Sequence, residues 1–324
     1  DNRPAFGEDI LQYGGKFYAL SEERIPYMRD KTTDNRFFIL TLFAIAYEIE
    51  AAGRYSASEM IDVKLNVGLP PSHYAGLYEK YEAYFANGSK PVRFMFRDKP
   101  YIIQISEVNA YPQAYAAAMT VFGMIKDQPK TMVIDIGGGT TEVAVVSMGG
   151  VVECESIKVA GSSFDEAIIR FIKKKYNLLI GAKTAEELKI NIGGVIPRKD
   201  VDSQEVKGRC LLTGLPKSVR ITSAEVVEAL REPTQLILEN VHAVLERTPP
   251  ELTGDLGDNG IILSGGGALI YGMDTLIEKS TGIPVIMVDD PASCAAHGAG
   301  KMLSKLDSME DGMMNFLRKR QMRS

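Results

Sequence analysis

The segment Asp135-Ile136-Gly137-Gly138-Gly139-Thr140-Thr141-Glu142 follows the apolar run Thr131 to Ile134, and its residue types suit an anion. Three consecutive glycines let the backbone approach a ligand with no Cβ in the way. Successive N–H groups then form a nest around a phosphate. The hydroxyls of Thr140 and Thr141 add donors. Asp135, at the strand end, suits a hydrated Mg²⁺, which keeps its waters and takes one or two carboxylates. The same residues also suit a plain Gly-rich hairpin with an acidic cap.

A second bend, Ser264-Gly265-Gly266-Gly267-Ala268, follows the apolar run Ile261 to Leu263. A helix is expected directly after it, which would place its N–H groups at a positive helix end. Neither bend is a dinucleotide fingerprint, because Glu142 and Ile270 stand where the third glycine of GxGxxG belongs, and no GxxxxGK[ST] occurs. Two such bends, each after an apolar strand, suggest two halves offering backbone donors to one ligand. Between them, Glu186 and Lys189 are three apart and share a helix face. That face suits either an adenosine ribose and base edge or a solvated ion pair. His73, His242 and His297 are isolated and take no metal or catalytic role.

The elements that position these residues read as mixed strands and helices, hence α/β layers. Helices are expected over Arg36 to Ala52 and Ser72 to Phe85, the latter with Tyr74, Leu77, Tyr78, Tyr81 and Phe85 on one face. Strands are expected at Val63 to Val67, Val92 to Phe96, Tyr101 to Val108, Thr131 to Ile134, Glu142 to Ser147 and Pro284 to Val288. Gly149-Gly150 reads as a hairpin into a strand Val151 to Val159. Capping boxes are expected at Ser163–Glu166, Thr184–Glu187, Thr222–Glu225 and Thr248–Glu251. A last helix is expected with Asp290 as its cap and Pro291 at its first position.

The 324 residues are 45% hydrophobic and 24% charged with net charge −5. This is enough chain for two domains and argues against direct nucleic-acid binding. Cys154, Cys210 and Cys294 lack metal or disulfide spacing and suit packing in a reduced, cytoplasmic setting. No apolar run approaches the roughly 20 residues of a membrane span. The chain opens at Asp1 rather than Met, which suits a fragment or a trimmed chain.

Taken together, DIGGGTTEVAVVSMGG, SFDEAIIRFIKKKYNLLIGAKTAEELKINIG, GRCLLTGLPKSVRITSAEVVEAL, GIILSGGGALIYGMDTLIE and DDPASCAAHGAGKML closely resemble the bacterial cell-shape actin family MreB, from about Thr131 to Leu306. The front third differs. LQYGGKFYALSEERIPYMRDKT, VKLNVGLPPSHYAGLYEKYEAYF and VNAYPQAYAAAM resemble the plasmid-segregating actins of the ParM group. The resemblance implies an actin-like fold (that of actin, Hsp70 and sugar kinases) with two lobes around a nucleotide cleft. Lobe I would hold 1–130 plus 292–324, and lobe II 131–291.

It further implies ATP/ADP with Mg²⁺, with Asp135 the metal ligand. Gly137 to Thr141 would form the second phosphate loop. Gly265, Gly266, Gly267 and Ala268 would form the adenosine loop, with Leu269 and Ile270 lining the base pocket. Glu186 and Lys189 would contact adenosine. Gly161 and Asp165 would lie near the ribose, where Ala160 replaces the family's first glycine. Gln113 stands in the place of the catalytic polar residue, which orients a water in line with the γ-phosphate. The family's first phosphate loop, a strand carrying DxGxxN, does not precede Asp1, so one wall of the phosphate site is expected to be missing. With it would go a second Mg²⁺-holding aspartate.

The implied function is a slow ATPase that polymerises head to tail into cell-shape filaments, working with the membrane surface or the wall-synthesis machinery. Two alternatives remain: a plasmid-segregation filament that binds a DNA-adaptor protein, and a non-polymerising member such as a sugar kinase or chaperone. The tail Met309 to Ser324 suits either an interfacial helix on anionic lipid or a frayed basic helix end.

Overall fold

The computed structural model describes residues 9–21, 25, 28, 30–121, 130–147 and 150–303. Gly149 and the tail Met309 to Ser324 lie outside these residues. The chain divides into two compact units, one built from residues up to Leu69 and His73–Tyr111, the other from Pro70–Ser72 and the chain from Pro112 onward.

The first unit holds β1 (Ile10–Tyr13), β2 (Lys16–Ala19), α1 (Asn35–Ala51), β3 (Ile61–Leu69), α2 (Pro71–Ala86), β4 (Val92–Phe96) and β5 (Lys99–Pro112). Its five-stranded sheet runs β2-β1-β4-β5-β3. Arg97 and Asp98 turn β4 into β5 with φ of 51° and 58°, the left-handed pair of a two-residue hairpin. Ion pairs hold that turn: Arg97 donates to Asp9 at 2.6 Å and to Glu50 at 2.8 Å. The expected faces of α1 and α2 form the core, where Leu42, Phe43, Tyr74, Tyr81 and Phe85 pack on Phe94, Phe96 and Tyr101.

The second unit begins with α3 (Gln113–Thr120), β6 (Thr131–Ile136), β7 (Thr141–Ser147), β8 (Gly150–Ile157), α4 (Gly161–Tyr176) and β9 (Leu178–Leu179). It continues with α5 (Ala182–Ile192), β10 (Ser203–Cys210), β11 (Pro216–Thr222), α6 (Ser223–Arg247) and α7 (Pro250–Asn259). It ends with β12 (Ile261–Ser264), α8 (Met273–Thr281), β13 (Val285–Met287) and α9 (Cys294–Leu303). The main sheet runs β13-β12-β6-β7-β8. In it β13, β12 and β6 are parallel, and β7 and β8 return as antiparallel hairpins. β7 is buried nearly throughout, and both α3 and α6 pack against it. Such double coverage is why it reads as a near-continuous apolar run.

Alternation sorts this sheet into two faces. Met132, Ile134, Ile136, Val143 and Val145 enter the core formed with α4, α5 and α6. Asp135 and Glu142 therefore turn to the opposite face.

One of the four expected capping boxes forms: Thr222 and Glu225 satisfy each other's backbone at the start of α6. The other three do not. α4 starts at Gly161, two residues before Ser163, and α5 at Ala182, before Thr184. The Thr248 hydroxyl turns back to donate to Val244 O at 2.7 Å. Thr248 thus ends α6 rather than opening α7. The last helix begins at Cys294, because residues 291–293 form turns and Ser293 N–H donates to Asp290 O. The second Gly-rich bend also differs from expectation. A short 3-10 turn, Gly266–Leu269, separates it from α8, so its N–H groups do not open an α-helix.

Candidate nucleotide and cation site

β6 and β12 run side by side in parallel, with Ser264 level with Asp135. Both Gly-rich bends therefore leave the same end of the sheet, the carboxyl end where open α/β sheets bind ligands. The bends also touch. A Cβ on Gly265 would lie 2.3 Å from Ile136 O and 2.4 Å from Asp135 Oδ1. One on Gly267 would lie 2.6 Å from Ile136 Cγ2 and 3.2 Å from Gly137 O. Gly265 holds φ +89°, and its N–H donates to Pro291 O at 2.8 Å. Gly138 and Gly266 differ from these two. Both are exposed, a Cβ on Gly138 would meet nothing within 4 Å, and one on Gly266 only Ala292 Cβ at 4.0 Å. The glycines inside the bends serve packing, and those at the tips leave room for a ligand.

The first bend is clamped from below. Gly137 N–H donates to Thr140 O at 2.9 Å. Gly161 N–H donates to Gly137 O at 3.1 Å, and Ser162 N–H to Gly138 O at 2.7 Å. The orphan donors that open α4 thus bind the carbonyls of the bend. In turn, Lys189 Nζ donates to Gly161 O at 3.1 Å and pairs with Asp165 Oδ1 at 2.6 Å, with both side chains largely buried. Glu186, half-buried, sits on the same helix one turn earlier. Gly137, Gly138, Gly139, Gly161, Asp165, Lys189, Gly265, Gly266 and Gly267 are thereby gathered at one end of one sheet.

Two expected contacts change. Thr141 is fully buried and its hydroxyl donates to Val159 O at 2.6 Å. It is not a phosphate donor, because strand pairing turns it inward. Ala268 is also fully buried, with its N–H on Gly265 O at 3.1 Å, so it supports the bend from within. Gln113 is the first residue of α3, half-buried, and α3 packs on β6 and β7.

The electrostatics centre on two acids. Burial pushes the half-buried Asp135 up to about 6. Glu142 lies opposite it across β6 and β7 and is 2% exposed. Burial, joined by the charge of Asp135, pushes Glu142 up to about 7, against the pull of the Ser156 and Thr140 hydroxyls. Ser156 donates to Glu142 Oε1 at 2.5 Å, while Glu142 Oε2 has no hydrogen-bond partner. Cys294, near Ser264 and Asp135, has its thiol raised chiefly by burial. Among the described residues no three His, Cys, Asp or Glu side chains converge on a metal position. A Mg²⁺ that keeps its waters needs only one or two carboxylates, and a buried carboxylate oxygen without a partner suits that ion. Sequence reasoning missed Glu142; the available signal was an acidic residue opening the otherwise apolar run of β7.

Comparison with known proteins places these features. The sequence model of the MreB/Mbl protein family matches residues 105–311, and the N-terminal domain of actin-like proteins matches 8–115. The two matches overlap over residues 105–115, from within β5 to the first turn of α3, ahead of the DIGGG strand. The front match describes actin-like proteins in general and does not single out the plasmid-segregating group.

The cell shape-determining protein Mbl of Bacillus subtilis is 45% identical over 197 residues, covering 60% of this chain and 58% of that protein. MreB of Escherichia coli is 44% identical over 201 residues, covering 62% and 58%. The chain therefore spans less than two thirds of these relatives. Among solved structures, MreB5 of Spiroplasma citri bound to ADP superposes with a TM-score of 0.69 at 26% identity, over 93% of this chain and 90% of that one. The archaeal actin homologue Ta0583 gives 0.67 at 19% identity, over 92% and 87%. The fold is that of actin, and the chain belongs to the MreB/Mbl protein family.

Proposed function

We propose that the chain binds ATP and ADP at the two Gly-rich bends and assembles into filaments that act in cell-shape determination. The observation that carries this reading is the contact between Gly265–Gly267 and Asp135–Gly137, which brings two sets of backbone donors to one sheet end. Phosphates would rest on the exposed Gly138 tip and its neighbours, where anion binding by successive N–H groups needs no side chain. Glu186 and Lys189 would face the adenosine, with Lys189 oriented by Asp165. The ADP bound by the MreB5 relative and the cell-shape role of the Mbl and MreB relatives support the same reading.

Asp135 would hold Mg²⁺ through water, and the ion would neutralise phosphate charge. Gln113, at the start of α3, would orient a water for slow hydrolysis, since phosphoryl transfer rests mostly on positioning and electrostatics. ATP binding would favour a polymer-competent form, limited by ATP's differential affinity for the two forms. Head-to-tail contacts between copies are heterologous and need not close, which yields filaments. Membrane and wall-synthesis partners follow from the family role. Among the described residues no helix is long and apolar enough to cross a membrane.

The test is sedimentation and electron microscopy of the chain with ATP, ADP or no nucleotide, alongside binding of a ribose-labelled fluorescent ATP. ATP-dependent pelleting with saturable binding is expected. Saturable binding without polymer at tens of micromolar protein would leave a non-polymerising actin-fold protein, and absence of binding would overturn the reading.

A further inference from the structure

Four strands carry one polar row across the main sheet: Ser264 on β12, Asp135 on β6, Glu142 on β7 and Ser156 on β8, each level with the next. Directly opposed residues put their side chains on the same face. The row lies at the carboxyl end of β6, where the two Gly-rich bends meet. It faces away from the core that receives Ile134, Ile136 and Val143.

Within this row Glu142 is an anomaly. It is 2% exposed, and a buried carboxylate is costly unless paired. Ser156 satisfies Oε1, and Oε2 is left without a partner. The charge that acts on it is a second carboxylate, Asp135, and no lysine or arginine acts on either group. Buried polar atoms in folded proteins almost always have partners, and an exception calls for a missing ion or water. The Ser156 bond already ties β7 to β8 and the Thr140 hydroxyl also acts on the carboxylate, yet no hydrogen bond reaches Oε2.

We propose that Glu142 is a second carboxylate of the cation site, helping Asp135 hold the hydrated Mg²⁺ that accompanies the nucleotide. The inference rests on the nucleotide reading above. It differs from that reading in assigning cation retention to a strand residue outside the Gly-rich bend. The Glu142 carboxylate accepts from a water of the ion's shell, which fills the vacant acceptor position of Oε2 and separates the two acids with a positive charge. Mg²⁺ recruits few carboxylates and keeps several waters, so two acids without a third ligand are sufficient.

Glu142→Gln tests this. It keeps the shape and the Ser156 bond and removes the charge. With the full chain and ribose-labelled ATP, the Mg²⁺ concentration for half-maximal binding is expected to rise about tenfold. Binding in EDTA should stay within about twofold of wild type. The melting temperature without metal should hold or rise, because an uncompensated buried charge has gone. Mn²⁺ paramagnetic resonance with ATP present should show the matching loss of bound ion.

An unmoved Mg²⁺ half-point in a folded E142Q overturns the inference and leaves the nucleotide reading intact. Wild-type chain that binds no ATP overturns both, and wild-type chain that binds it without Mg²⁺ dependence overturns the inference alone. Should E142Q fail to fold, Glu142→Asp decides, since it retracts the charge by one methylene. A raised half-point supports the inference, and an unchanged one overturns it.

Discussion

Gly265 and Asp135 are packed so closely that the smallest side chain on Gly265 would lie 2.4 Å from the Asp135 Oδ1 atom and 2.3 Å from Ile136 O. The contact is backbone against backbone, and Gly265 also holds φ +89°, where L side chains are strained. Gly265→Ala is therefore expected to destabilise the second unit by about 2–4 kcal/mol and to weaken nucleotide binding with it. Urea denaturation followed by circular dichroism checks the first part. A variant as stable as wild type would mean the bends do not touch.

The exposed tips should behave in the opposite way. Gly138 has no positive φ, and its Cβ would enter open space; Gly266 is nearly as free. Gly138→Ala and Gly266→Ala should change stability by less than about 1 kcal/mol. A methyl at either tip stands where phosphate must approach the N–H groups, so affinity for labelled ATP should fall at least roughly tenfold. Measuring melting temperature and nucleotide affinity on the same samples separates the two effects. Unchanged affinity in both variants would move the phosphates elsewhere.

This contrast also marks what the sequence made legible. Both bends, the apolar strands before them and the amphipathic helices α1, α2 and α4 follow from residue type and spacing. What spacing alone did not reveal was tertiary. Nothing local distinguishes Gly265, which is crowded, from Gly266, which is free. The helix start at Gly161 is hidden in the sequence because loop carbonyls, not the hydroxyl of Ser163, meet the first N–H groups of α4. Thr141 suits a ligand donor by residue type, but pairing with Ile136 on β6 and Ile157 on β8 turns it inward. Glu142 went unnoticed because its significance depends on facing Asp135 across two strands. The hairpin β10–β11 has little apolar alternation, since most of its residues are exposed.

Stability should respond to pH with opposite signs at two places. Asp135 and Glu142 are raised to about 6 and about 7, so between roughly pH 4 and 7 the folded chain holds protons that the unfolded chain has released. Stability contributed by these groups is present at low pH and lost as pH rises through that window. It amounts to at most on the order of 3 kcal/mol for each. Glu225 is the reverse. Burial raises it, but Lys175, Tyr176 and the backbone and hydroxyl of Thr222 outweigh burial and hold it near about 2. Its contribution is present above its ordinary value of 4.5 and lost as pH falls toward about 2. Denaturation midpoints at about pH 3, 5 and 8 should peak at the middle value. The double variant D135N/E142Q should flatten the upper limb and Glu225→Gln the lower. A wild-type curve rising steadily from pH 5 to 8 would contradict the burial of the Asp135–Glu142 pair.

Lys189 and Asp165 join α5 to α4 by a 2.6 Å ion pair, and Lys189 also reaches Gly161 O. Removing one partner strands the other charge in a largely buried position, which costs more than the pair itself contributes. Lys189→Met and Asp165→Asn should each lose about 2–4 kcal/mol, and the double variant less than the sum of the two. Lys189→Met should in addition weaken ATP more than it weakens inorganic triphosphate, because its proposed contact is with the adenosine. Asp165→Asn, acting through Lys189, should show the same preference more weakly. Equal losses for ATP and triphosphate would limit the pair to bracing α4 beneath the first bend.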